Sequence, residues 1–355
     1  MKIAFLSFYQ KSVYRGVETF VSELAERLAK NNDISVIQSC KEEKKKYKIV
    51  KINIPVRNHP DTSNSPLRKL FLDYWSLEIL RFTIRSLPYL IMGKYDIIIP
   101  TNGGWQSFIC RIFSILKKSK LIITGQCGPG YDERWNLLMH PDLFIALSKR
   151  DELWAKKYLK NVIKISNGVD LNKFNPNVIP AQLTLKKPII LCVSALTAQK
   201  RVDLVVKAVS RLQNVSLLVI GSGDEEQKNK IEQLGKNLLG NRFFLKVVPH
   251  NQIPSYYKAC DVFTLASTSS ESFGIVLVEA MASGLPVVAT NDEVRKEIIG
   301  DAGMLVNPKN LDEYSEALKK TLETDWGNKP REQSEKFSWD KIAKDYETSF
   351  KMLFN

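Results

Sequence analysis

The chain has 355 residues, of which 44% are hydrophobic and 25% charged. That length favours two domains, and the apolar content is enough for two ordinary cores. No stretch reaches the roughly 18 uninterrupted apolar residues of a spanning helix. The five cysteines (40, 110, 127, 192 and 260) form no CxxC pair and are odd in number, so a reduced, cytosolic protein is expected. Three scattered histidines without ligand spacing argue against zinc.

The net charge of +14 is unevenly placed. Residues 1–180 carry 29 Lys+Arg against 16 Asp+Glu, whereas the remaining 175 carry 23 against 22. The basic field therefore belongs to the first half. It suits an anionic partner such as a lipid surface, a nucleic acid or a phosphorylated acceptor, or simply a solubilising surface.

In chain order, Lys2–Phe8 is an apolar run too short for a signal peptide and without a small-residue cleavage site; it reads as a first strand. Glu18–Lys30 has helical spacing, with Phe20, Val21, Leu24, Ala25 and Leu28 on one face. Strands follow at Ile34–Gln38 and, after the lysine-rich connection Lys41–Lys51, at Ile49–Ile54. Residues 66–92 are helical with an interruption expected near Pro88. Further strands are expected at Asp96–Pro100, Lys120–Thr124 and Leu143–Leu147, and a helix at Lys149–Leu159. Buried strands alternating with helices imply a parallel sheet covered on both faces.

Three prolines (176, 180 and 188) mark a linker. A second alternation then begins. Strands are expected at Pro188–Ser194, Val215–Ile220, Phe243–Val248, Val262–Leu265 and Pro286–Ala289. Helices are expected at Val202–Leu212, after the turn Gly221-Ser-Gly-Asp224, at Gln252–Cys260, near 293–299 and at Leu311–Leu322. Ser338–Phe354 is one amphipathic helix. The reading is thus α/β, with a first domain 1–177, a linker 178–187, a second domain 188–337 and a terminal helix 338–355. Two doubly wound domains would present a cleft at the carboxyl ends of their strands.

The most informative segment is Glu271-Ser-Phe-Gly-Ile-Val-Leu-Val-Glu279, followed by Ala-Met-Ala-Ser-Gly-Leu-Pro-Val-Val-Ala-Thr290. Gly284 ends the apolar run as a helix C-terminal glycine does, so the helix starts near Phe273–Gly274 and Glu271 lies in the loop before it. Unpaired amides at that start favour phosphate oxygens, and Gly274 allows close approach. Glu279 lies roughly 7–8 Å further along the axis. A nucleoside diphosphate sugar across this start would set its sugar near Glu271 and its ribose near Glu279, both carboxylates accepting from hydroxyls. The alternative is a helix-start acid and a solvated helical glutamate.

These residues resemble a retaining glycosyltransferase of family 4, whose motif is Glu, seven residues, Glu. The resemblance extends over the chain: Ser166-Asn-Gly-Val-Asp-Leu-Asn-Lys-Phe-Asn-Pro176, the Gly221 turn, and Phe337-Ser-Trp-Asp-Lys-Ile342 all match family segments. It implies a GT-B fold of two Rossmann-like domains facing across a cleft, with the last helix returning to the first domain. It implies Glu271 and Lys200 as catalytic residues, and Gly16, Arg201, Gly221, Ser272, Phe273, Gly274, Ile275 and Glu279 on the donor side. Lys200 and Arg201 follow a strand, where cations can neutralise a departing diphosphate. The family's Arg five residues before the Lys is replaced by Ala195, a place that Arg201 could fill. A histidine common in relatives is replaced by Gln126 and Cys127 in the loop Gly125–Tyr131. With Asn102 and Trp105, these form the acceptor-side candidates, Trp105 reading more readily as core. No metal and no cofactor are expected. The expected partners are a nucleotide-sugar and a glycan or lipid-linked acceptor, with an anionic membrane surface as a further partner and no nucleic acid. Cytoplasmic placement follows; the mixed apolar and cationic segment Leu67–Leu90 reads first as a core helix, and a partly buried one would also suit the inner face of the membrane. A non-catalytic sugar-nucleotide-binding relative and a basic nucleic-acid-binding protein are the alternatives.

Overall fold

The structure, a computed structural model, describes residues 1–9, 16–39, 45–55 and 66–354. The chain forms two compact units. One contains residues 1–166 together with 339–355, the other residues 167–338.

The first unit is built on seven strands: β1 (Lys2–Ser7), β2 (Asp33–Gln38), β3 (Lys48–Lys51), β4 (Ile97–Pro100), β5 (Lys120–Gly125), β6 (Leu143–Ala146) and β7 (Val162–Lys164). They lie in the order β3-β2-β1-β4-β5-β6-β7, and every pairing is parallel. β1, β2, β4 and β5 are almost wholly buried, which is why they read as continuous apolar runs rather than alternating ones. One face is covered by helix Tyr74–Gly93 and by Cys110 and Phe113 of helix Gly104–Lys117. The other is covered by helices Gly16–Leu28 and Trp339–Met352. The apolar stripes of these last two meet through Phe20, whose ring lies 5.9 Å from Tyr346 and 6.2 Å from Trp339.

The second unit contains β8 (Ile189–Val193), β9 (Ser216–Ile220), β10 (Phe243–Lys246), β11 (Val262–Leu265), β12 (Val287–Thr290) and β13 (Gly303–Val306), in the parallel order β10-β9-β8-β11-β12-β13. Both sheets therefore reverse their winding beside their first strand, between β1 and β4 and between β8 and β11. Ligands bind such sheets outside the carboxyl ends at that reversal.

Two differences from the sequence reading are instructive. Pro88 does not interrupt its helix, which runs on to Gly93; the break falls earlier, between helix Pro66–Lys69 and Tyr74. Proline removes its own bond to the preceding turn and crowds the carbonyl four residues earlier, yet the helix continues through it. By contrast, Phe71 adopts φ 54°, and Asp73 caps the new start by accepting from the amides of Trp75 (3.1 Å) and Ser76 (3.3 Å). Residues 167–177, grouped above with the first domain, pack in the second unit. Arg331 donates to the carbonyls of Phe174 (2.9 Å) and Leu171 (3.2 Å), and the Val169 amide donates to Phe337 (2.8 Å). The segment 178–187 is held there too, Ala181 donating to Ser255 at 2.9 Å.

Candidate active site

The loops that leave β8 and β11 flank the reversal of the second sheet. Lys200 closes a short 3-10 turn, Ala198–Lys200, after β8. Glu271 lies in the loop after β11. The Lys200 ammonium pairs with the Glu271 carboxylate, and both side chains are partly shielded, at 25% and 18% exposure. The loop carrying Glu271 is heavily tied. Thr268 donates its amide to Gln199 (2.9 Å), and the Glu271 amide donates back to Thr268 (3.2 Å). Two arginines hold its carbonyls. Arg201 donates to Ala266 and Ser267 (both 2.7 Å) and to Thr290 Oγ1 (3.3 Å). Arg295, wholly buried, donates to Ser267 Oγ (2.6 Å) and the Thr268 carbonyl (2.9 Å) while paired with Asp292.

Arg201 thus has a task that the sequence reading did not assign. Its backbone is left-handed, φ 48°, and its guanidinium serves the protein's own carbonyls. Arg295 was missed altogether; its only sequence signal is Asp292, three residues earlier, which caps the helix Glu293–Ile299 by accepting from the Arg295 amide.

Helix Ile275–Ala282 begins at Gly274, which has φ 82° and offers no side chain to cap the first amides. Leu277 donates its amide to the Gly274 carbonyl (2.9 Å), while the N-cap supplies no side-chain acceptor to the amides before it. Leu277 through Ala282 are all buried. Phe273 is buried edge-on against Phe337 (5.8 Å), a core ring, while its neighbours Ser272 and Ile275 are buried and half-buried. Glu279 is no solvated residue: it is 4% exposed. Its Oε2 accepts from the buried Tyr257 hydroxyl at 3.1 Å, and its Oε1 lies 4.0 Å from His250 Nε2, whose ring in turn meets Lys173 Nζ at 3.0 Å through Nδ1. Burial, then the Glu279 charge, raises the Tyr257 hydroxyl well above its usual range, so it remains a donor to that carboxylate. Tyr257, His250 and Lys173 were not singled out by sequence.

Gly221 has a structural cause. A Cβ there would sit 1.8 Å from the Ser194 carbonyl oxygen, because the turns after β8 and β9 cross closely; Leu196 donates its amide to Ser222 at 2.8 Å. In the first unit Gly16 opens its helix in an exposed position, and Arg15 beside it lies outside the described residues.

The four acceptor-side candidates come together around one cavity of about 100 Å³ at the ends of β4 and β5. Asn102 Oδ1 accepts from the Phe8 amide (2.9 Å), tying the loop after β4 to that after β1. Trp105, half-buried, donates its indole N–H to the Phe71 carbonyl (2.8 Å). The Cys127 amide donates to Glu133 Oε1 (2.9 Å), and Asn136 Nδ2 donates to Glu133 Oε2 (3.0 Å). Glu133 is 2% exposed, and its carboxyl is pushed up to about 7, chiefly by burial. Cys127, whose thiol is free of any disulfide, is exposed overall and also lines the cavity. Burial first, then Glu133 and Asp132, push that thiol up to about 12, which leaves it protonated and a poor nucleophile at neutral pH. Among the described residues no group of three or more His, Cys, Asp or Glu side chains is gathered as metal ligands would be.

Residues 177–338 match the family described as glycosyl transferases group 1. Over 400 aligned residues the chain is 27% identical to an uncharacterised glycosyltransferase of Methanocaldococcus jannaschii, covering 99% of this chain and 98% of that one. It is 32% identical to the phosphatidyl-myo-inositol mannosyltransferase of Mycolicibacterium smegmatis over 51% of this chain, an alignment that spans about half (48%) of that relative. The fold superposes on sucrose-phosphate synthase from Thermosynechococcus elongatus with TM-score 0.83 at 20% identity, covering 99% of both chains. An Anabaena protein solved with UDP-glucose superposes with TM-score 0.76 at 18% identity, over 99% of this chain and 100% of that one. The chain carries a glycosyl transferases group 1 region on a GT-B fold, and it is a glycosyltransferase.

Proposed function

We propose that the enzyme is a retaining transferase of family 4 that moves a sugar from a nucleoside diphosphate sugar to a hydroxyl acceptor, in the synthesis of a lipid-linked or cell-surface glycan. The observation that carries this reading is the Lys200–Glu271 pair beside the uncapped start of helix Ile275–Ala282. Cation and helix start both attract a diphosphate. In this reading the diphosphate takes Lys200 from Glu271, and the released carboxylate receives hydroxyls of the transferred sugar. Glu279, held by Tyr257, receives the ribose. The leaving diphosphate helps to deprotonate the acceptor as the C–O bond breaks, so the protein's share is positional and electrostatic. UDP-glucose bound by the Anabaena relative and the mannosyltransferase relatives support a nucleotide-sugar donor. A thermal-shift screen over UDP-, GDP- and ADP-sugars tests the reading: one nucleotide class should raise the melting temperature, and no response to any of them would sink it.

The acceptor side of the reading is a membrane-associated substrate. Helices Tyr74–Gly93 and Gly104–Lys117 pack on each other and expose Ile84, Met92, Ile115 and Leu116, among others, beside Arg81, Arg85 and Lys117 on the same elements. Exposed apolar side chains interleaved with cations suit an anionic lipid interface. Among the described residues no helix is long and apolar enough to cross a membrane. Co-sedimentation with vesicles should rise when anionic lipid is included, and equal binding with and without it contradicts this part.

A further inference from the structure

The cavity at the ends of β4 and β5 holds an unexplained polar atom. Thr124, the penultimate residue of β5, is 5% exposed and lines the cavity, yet its hydroxyl has no hydrogen-bond partner among the described residues. A buried unpaired hydroxyl is costly unless something supplies a partner. The space of about 100 Å³ exceeds several-fold the roughly 10–15 Å³ that one water needs by the same kind of measure. It therefore suits a multi-atom polar group better than a lone ion.

The walls say which kind. Phe71 and Trp105 supply aromatic surface, while Thr124, Asn102 and Gln126 supply polar groups. Flat apolar surface beside hydroxyl-matching groups is what a sugar ring requires, since its faces are C–H and its rim is O–H. The charge balance disfavours an anion. Among the described residues of the lining Arg68 is the one cation, and it is already paired with Asp132 (3.0 Å) and lies 3.9 Å from Asp73. Glu133 and Asp132 add acidic groups. Among the described residues, the basic surplus of the first half is thus not gathered in this cavity.

We propose that this cavity is a subsite for a neutral, hydroxyl-bearing sugar ring of the acceptor, with the Thr124 hydroxyl as the group that reads it. The proposal rests on the transferase reading above and narrows it: the acceptor is read here through hydroxyls and not through a phosphate. Glu133 is a positioning residue. By accepting from the Cys127 amide and from Asn136, whose Oδ1 accepts from Ser107 Oγ (2.8 Å), it fixes the far wall without needing to touch the sugar.

The test is saturation-transfer NMR on the full chain with methyl α-mannopyranoside and methyl α-glucopyranoside as neutral probes and mannose 6-phosphate as the anionic one. UDP and GDP binding is followed in the same samples. At least one neutral glycoside should bind, Thr124→Val should weaken it about tenfold, and Thr124→Ser should keep it. Nucleotide binding should be unchanged in both variants. Glycoside binding that depends on Thr124 without any nucleotide binding supports this subsite while removing the donor reading. Three results overturn the subsite: no neutral glycoside binding, binding unaffected by Thr124→Val, or tighter binding of mannose 6-phosphate.

Discussion

Lys200 and Glu271, 71 residues apart in sequence, form an ion pair where the second sheet reverses its winding. Each comes from a loop at the carboxyl end of a different central strand, so the pair exists only once β8 and β11 lie side by side. In the proposed reaction it stands ready for substrate: the cation serves the leaving group and the carboxylate serves the sugar. Lys200→Ala should lower kcat by about 10²–10³, the usual loss when a charge-stabilising donor is removed. The pair is partly exposed, so its contribution to stability is small, about 1 kcal/mol or less. Steady-state kinetics beside urea melts separate the two effects.

Arg295 is the opposite case, wholly buried and tied to Asp292, Ser267 and Thr268. Arg295→Met takes the guanidinium from Asp292, leaving it the backbone amide of residue 295, and should cost about 3 kcal/mol of stability. It also frees the loop that presents Glu271. Chemical denaturation should therefore show a lower midpoint, and the remaining folded enzyme should show a raised donor KM. A melt equal to wild type contradicts this assignment.

Gly221→Ala should destabilise by about 2 kcal/mol or more. Its Cβ would meet the Ser194 carbonyl, a backbone atom that cannot swing aside. If Gly221 instead acted only by approaching a ligand, the variant would melt normally and lose only donor affinity.

Glu133 predicts a pH dependence. Its carboxyl, ordinarily near 4.5, titrates near 7 in the folded chain because burial, then the neighbouring Asp132 and Asp151, oppose its charge more than Asn136 and the Cys127 amide favour it. The folded state therefore keeps a proton that the unfolded state loses above about pH 4.5. Stability is full below that value, falls as pH rises towards about 7, and is flat beyond, by on the order of 3 kcal/mol. Urea unfolding followed from about pH 5 to about pH 8 should show this fall in the wild type and lose it in Glu133→Gln.

Much of this was legible in the sequence because the strands are buried on both faces and so appear as unbroken apolar runs. Strand Val262–Leu265 is found at its expected bounds, and the start of helix Ile275–Ala282 beside Gly274 was readable from Gly284 and the apolar run before it. Helix Gly104–Lys117 is not among the elements expected from sequence, although buried Cys110 and Phe113 help to cover one sheet face. The boundary between the units was displaced because prolines 176 and 180 mark an irregular segment, not one free of contacts; Arg331, more than 150 residues later, holds it. Spacing could not reveal the partners of Glu279, since Tyr257 and His250 come from a separate helix and turn. Nor could it show that Arg201 faces its own carbonyls, or that Glu133 is buried, because both depend on chain segments brought together only by the sheets.

The most direct test of the central claim measures sugar transfer by the wild type, Lys200→Ala and Glu271→Gln, using the nucleotide-sugar that stabilises the protein. Anomeric coupling constants of the product are read by proton NMR. The account predicts a product that keeps the donor's anomeric configuration, with transfer reduced about 100-fold or more in both variants. An inverted product, or variants that transfer at the wild-type rate, would contradict it.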